Sequence, residues 1–114
     1  MGSRRRFQKL AAEALDSLPE WVRASMDNVE VLIEDEPPDG ETNLLGLYVG
    51  VPLTDRVDGA MMLPDRITLF QRNIEREAGD DEEELRRSVV ETVVHEVAHH
   101  FGIDDVRLDE LGWD

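Results

Sequence analysis

Two of the chain's three histidines, His95 and His99, stand four residues apart, with Glu96 directly after the first. On a helix that spacing puts both imidazoles on one face, one turn apart, where they can close on a single metal ion. Glu96 lies about 100° round the helix from His95 and still reaches a water on that metal. This is the mechanical content of an H-E-x-x-H segment, in which the histidines bind zinc and the glutamate acts as general base. Gly102 comes three residues after His99, and Asp105 three after Gly102. A glycine adopts positive φ readily, so the helix can stop there and the chain can turn back. The turn would return Asp105 to the metal as a third ligand. Neutral imidazoles plus one carboxylate, with an open fourth position, favour zinc.

Neighbouring residues have competing readings. Asp104 and Asp105 can each cap a following helix; the spacing from Gly102 gives Asp105 to the metal and Asp104 to the cap. His100 points away from the His95–His99 face, near the helix C-terminus, and reads as structural. Glu91, one turn before His95, either supports a ligand histidine or is solvated. Tyr48, the single tyrosine, either polarises a substrate carbonyl or is a half-buried strand residue.

The motif His95-Glu96-x-x-His99-x-x-Gly102-x-x-Asp105 resembles the metzincin form of the zincin signature, with aspartate where a third histidine is usual. With LGLYVGVPL, PDRITLF and VVHEVAHHFGIDD, the chain resembles small bacterial zincin-like metallopeptidase domains over roughly residues 40 to 114. The resemblance implies a compact zincin fold, a zinc site and peptide substrates lying extended along an edge strand. RITLF, from Arg66 to Phe70, is the candidate for that edge. The chain departs from metzincins in one respect. They carry a methionine turn after the third ligand, whereas nine residues follow Asp105 here and none is Met. Met61 and Met62 are the candidates for an apolar floor in its place.

If the site is catalytic, a water activated at the zinc loses its proton to Glu96, attacks a peptide carbonyl, and Glu96 returns the proton to the leaving amine. The alternative is a zinc-binding or interaction domain that keeps the fold without turnover. Glu96 favours the peptidase, because a purely structural site needs no carboxylate base. The short chain favours the alternative, because it leaves little protein for specificity pockets.

The 114 residues fit one domain, spanning 1–114. A formal charge of -15, from 27 acidic and 12 basic side chains, repels phosphate backbones and argues against nucleic acid as partner. It suits basic peptides, and equally a solubilising surface. With no cysteine, disulfides and thiolate ligands are excluded. Ser3–Lys9 superficially matches a twin-arginine export signal, but Glu13, Asp16 and Glu20 interrupt the stretch after it, where an apolar run is required. No stretch is long and apolar enough to span a membrane, and a cytoplasmic location is expected.

The elements that must position the site follow from periodicity. Phe7, Leu10, Ala11, Ala14, Leu15 and Leu18 recur at helical spacing and predict an amphipathic helix over roughly residues 5–17. Pro19 suits the start of a short second helix carrying Trp21 and Val22. Val29–Glu34 alternates as a strand; Leu44–Leu53 is a second, with Gly46 and Gly50 permitting close approach; Arg66–Phe70 is a third. Asp80 or Asp81 caps a long helix over about 81–101, with Leu85, Val89, Thr92, Val93 and Val97 as its buried stripe. A last short helix carries Val106, Leu108, Leu111 and Trp113. The expected class is α+β: a mostly antiparallel or mixed sheet of three or four strands packed on the long H-E-x-x-H helix, with the N-terminal helices outside it.

Overall fold

The computed structural model describes residues 2–26, 28–50 and 64–111. Residues Val51–Leu53 of the expected second strand, the Thr54–Gly59 turn, Met61 and Met62 lie outside that set. So do the packing roles expected of Leu108, Leu111 and Trp113.

The element order is α1 (Gly2–Asp16), α2 (Glu20–Ala24), β1 (Val29–Glu34), β2 (Gly46–Val49), β3 (Asp65–Phe70), α3 (Gln71–Ala78), α4 (Glu82–His100) and α5 (Asp105–Leu111). The sheet is mixed, in the order β1-β3-β2. β1 runs parallel to β3 with Val31 beside Ile67, and β2 runs antiparallel to it with Tyr48 beside Ile67. The small α+β architecture is therefore present. RITLF, however, is not the edge: β3 has a partner on each side, and among the described strands β2 and β1 form the edges. The reason is physical. Ile67 and Leu69 are fully buried, and a strand with a buried face and no interruptions is best satisfied between two partners.

Alternation carries the core. Val29, Val31 and Ile33 of β1 and Ile67 and Leu69 of β3 share one face and pack into one cluster. Leu85, Val89, Val93 and Val97 of α4 enter the same cluster, as do Phe7, Leu10, Ala11 and Ala14 of α1. The N-terminal helix and the long helix thus form a single layer on one side of the sheet. Each fully buried aliphatic side chain contributes about 1.5–3 kcal/mol, so this layer is the main source of stability. Exposed ion pairs across it, Arg86 to Glu13 at 2.9 Å and Arg6 to Glu82 at 3.0 Å, orient α1 on α4 and add little.

Two local devices set the ends of α4. Asp81 accepts hydrogen bonds from the Glu83 and Glu84 amides at 2.9 and 3.4 Å, and Glu82–Glu84 complement the positive end of the dipole. At the other end Gly102 has φ 83°. Its N–H bonds to the His99 carbonyl, and the Ile103 N–H bonds to the Ala98 carbonyl, which is the Schellman arrangement.

β2 is drawn against α4 at Gly46. A Cβ there would stand 2.8 Å from Thr92 Cγ2 and 3.0 Å from Glu96 Cγ, so only glycine permits the approach. Asn73, buried in α3, holds the segment leading into β2 by donating to the Glu41 and Leu44 carbonyls, both at 2.8 Å. Gly46→Ala is expected to destabilise the protein by roughly 1–3 kcal/mol through forced overpacking. Denaturant unfolding checks this, and an unchanged midpoint would mean that β2 does not sit against Thr92 and Glu96.

Candidate metal centre

His95 and His99 lie one turn apart on α4, half-buried, with ring centroids 4.8 Å apart. The glycine turn brings Asp105 back over them. Its Oδ1 lies 3.0 Å from His95 Nε2 and 2.9 Å from His99 Nε2. One ligand atom from each of the three residues falls within 4.8 Å of the others, and among the described residues no other such group occurs. Two imidazole nitrogens and a carboxylate oxygen converging on one point are a donor set that fits zinc. The neighbouring acid is occupied differently: Asp104 Oδ1 accepts from the Arg107 amide at 2.9 Å, capping α5.

Glu96 sits on the buried side of the same helix, with 5% of its surface exposed. Its carboxylate lies 3.7 Å from His99 Nδ1, and the backbone N–H of Tyr48 is turned towards it. The strand geometry explains that contact. The Leu45 carbonyl accepts from the Phe70 amide, so the alternate residues Gly46 and Tyr48 turn their backbone groups away from β3. Burial raises the Glu96 carboxyl above the ordinary glutamate range, opposed by the nearby histidines. Asp105 moves the other way, lowered chiefly by its hydrogen bond to His99.

A cavity of about 370 Å³ opens beside these groups. Its walls come from the Asn43–Gly46 segment on one side and from Ser88, Glu91, Thr92, His95 and Glu96 on the other, with Glu77 at the rim. Glu91 faces this space and has no hydrogen-bond or ion-pair partner among the described residues, so it does not support a ligand histidine. Tyr48 donates its hydroxyl to Asp65 Oδ2 at 2.6 Å, away from the role of polarising a carbonyl. His100 is buried against the same carboxylate, at 2.8 Å from Nδ1.

Sequence reasoning missed Asp65 and the Tyr48 amide. No local pattern marks either. The one available signal was Gly46, whose place in an otherwise bulky strand announces close backbone approach.

With this geometry in hand, comparison with known proteins is decisive on one point. The sequence matches the family described as Zincin-like metallopeptidase over residues 26–113. The chain belongs to that family. Among solved structures it is similar to a conserved hypothetical protein from Thermo thermophilus, at 23% identity and a TM-score of 0.61, with 97% of this chain and 99% of that chain covered. That likeness shows a shared fold. Comparison with curated proteins gives no match. Among the described residues, no helix is long and apolar enough to cross a membrane.

Two outcomes are expected from the site as built. Gly102→Ala forces a side chain into φ 83°, at a cost of roughly 1–2 kcal/mol. It should weaken zinc binding together with stability, as read by competition titration and thermal melting. Glu96 governs a pH dependence in the metal-free protein. Its pKa is raised on folding, so the folded state binds this proton more tightly than the unfolded state. Stability is then highest below the ordinary glutamate pKa and falls as pH rises through the folded value. Glu96→Gln should remove that fall, leaving the opposite and weaker trend from Asp105, which is three-quarters exposed. Unfolding midpoints measured in chelator across pH 4–8 test the sign.

Proposed function

We propose that this protein is a zinc metallopeptidase in which His95, His99 and Asp105 hold the metal and Glu96 is the general base. One observation carries the reading: a buried carboxylate that is no member of the ligand trio lines the same cavity as His95. Zinc held by the trio supplies Lewis acidity, which acidifies a water and polarises a carbonyl oxygen. The chain's own contribution is proton handling. Glu96, whose carboxyl burial raises above the ordinary glutamate range, takes a proton from the attacking water and delivers it to the departing amine nitrogen. The Tyr48 amide leaves Glu96 with lone pairs free to accept from that water. Being buried, the base is also kept from bulk solvent.

The substrate class we propose is a basic peptide. Leu44 and Leu45 offer the cavity an apolar wall, and Glu77 and Glu91 stand exposed at its edge. Among the described residues neither glutamate has an ion-pair partner, whereas Glu13, Glu36 and Glu82–Glu84 are paired with arginines. A lysine or arginine can lay its aliphatic stem on such a wall and keep its charged head at the rim.

Glu96→Gln should retain one zinc per chain and lose roughly 10²–10⁴-fold in cleavage rate, with both measured on the same preparations. His95→Ala or His99→Ala should abolish stoichiometric zinc. A Glu96→Gln protein that cleaves at the wild-type rate would remove the proposed base. In a peptide library, sequences with Lys or Arg beside the cleaved bond should show the higher kcat/KM, and Glu91→Lys should suppress that preference. The preference should also weaken as salt rises.

A further inference from the structure

The residue that follows the second histidine of the trio, His100, is among the most deeply buried polar groups of the described residues, and the proposed chemistry does not use it. His100 and Asp65 are each 2% exposed. His100 Nε2 lies 3.1 Å from the Ser25 carbonyl. That carbonyl only accepts, so Nε2 carries the hydrogen. A second hydrogen lies between His100 Nδ1 and Asp65 Oδ2, 2.8 Å apart. The same Oδ2 accepts from the Tyr48 hydroxyl at 2.6 Å. Gly50 backs onto this carboxylate so closely that a Cβ there would stand 2.5 Å from Asp65 Cγ.

Glu96 and His100 are four residues apart on the buried face of α4, and both meet strand β2. Glu96 lies against it at Gly46, where a Cβ would stand 3.0 Å from Glu96 Cγ and 3.2 Å from its Oε2, and the Tyr48 N–H is turned towards its carboxylate. His100, through Asp65, takes the Tyr48 hydroxyl. The edge strand is thus fastened beside two successive turns of the metal-site helix. These contacts resist sliding of β2 along α4, and β2 with its lead-in forms a wall of the cavity that Glu96 lines. An apolar contact would not set this distance as sharply, because hydrogen bonds weaken steeply with displacement and misalignment.

We propose that Asp65 and His100 are positioning residues: with Tyr48 they form a clamp that holds the Glu96 carboxylate at a fixed place against the wall of the cleft. The kinetic consequence rests on the peptidase reading, but the clamp itself can be tested without it.

The test uses the zinc-loaded full chain, the residue-48 amide followed by NMR, and Glu96→Gln as the reference for a weakened carboxylate bond. Tyr48→Phe deletes one hydroxyl. It should shift the residue-48 amide proton towards its position in Glu96→Gln and speed its hydrogen exchange roughly tenfold, while the Val89 and Val93 amides keep theirs and zinc stays at one per chain. Asp65→Asn should act in the same direction; should it fail to fold, Tyr48→Phe decides. Leu10→Ala, a core truncation away from the clamp, should leave the residue-48 amide unmoved. In cleavage assays Tyr48→Phe should lower kcat roughly ten- to a hundred-fold at unchanged KM. An unmoved residue-48 amide in Tyr48→Phe overturns the clamp, as does an equal shift in Leu10→Ala or a loss confined to KM. If the amide responds as expected and wild type cleaves no peptide, the clamp stands and the peptidase reading falls.

Discussion

Helix α4 has to serve the core and the site from adjoining faces, and Glu96 sits where the two demands meet. Leu85, Val89, Val93 and Val97 define the buried stripe. At 100° per residue the C-terminal turns of that stripe place Glu96 and His100 inside the protein, while His95 and His99 fall at its border. In this helix the residue after the first histidine falls on the side turned to the sheet, with His95 and His99 at the rim. The consequence is a carboxylate and an imidazole among aliphatic neighbours, each of which destabilises the fold unless it finds partners. Most of what is unusual in the sheet answers that need. β2 has Gly46 where bulk would keep the strand away, and it turns the Tyr48 amide outwards. β3 begins with a buried aspartate.

The proposed metal ligands make a contrasting case, because their geometry is almost entirely local. Eleven residues contain an i, i+4 pair, a glycine turn with two backbone hydrogen bonds, and an aspartate-capped helix start. Each step has its own short-range cause. The Gly102 amide caps the His99 carbonyl, the Ile103 amide caps the Ala98 carbonyl, and Asp104 takes the Arg107 amide. Asp105, one residue further, is delivered to the two imidazoles by these three bonds. Little of the remaining chain is needed to define the trio beyond keeping α4 helical.

This difference in range explains what was legible in the sequence. Helices α1, α2, α4 and α5 were readable from period and caps (Asp81 before α4, Pro19 before α2, Gly102 after α4), whereas α3 (Gln71–Ala78) was not read as an element of its own. The strands at Val29 and Arg66 were readable too, as was the convergence of Asp105 on the two histidines. The place of β3 in the sheet was not, because alternation shows that a strand has a buried face and says nothing of how many partners it has. His100 was legible as structural but not as buried. Its partners, Asp65 and Ser25, lie 35 and 75 residues away, and no pattern at that separation exists in a single sequence. Asp65 stands just before the expected strand, and nothing in the sequence marks it. The Tyr48 amide cannot be read at all, since every residue but proline has one.

Locality also separates the two capacities of the site. A ligand set built from one helix end survives movements of the sheet, because no strand residue belongs to it. Glu96, the proposed base, does not have that independence. Its burial, its pKa and its distance from the cavity wall all depend on β2 staying seated on α4, and β2 is a four-residue strand held by a glycine contact, an asparagine under its lead-in and the tyrosine clamp. On the proposed function, loosening of the sheet would therefore cost proton transfer before it cost metal. A chain of 114 residues can assemble the candidate metal centre with little support. It spends its buried polar contacts on the part that local structure cannot supply: holding a charged side chain still in an apolar layer. That allocation is hard to explain for a domain whose only task is to hold zinc, because such a domain would gain stability from an aliphatic residue at position 96 and lose nothing from the ligand trio.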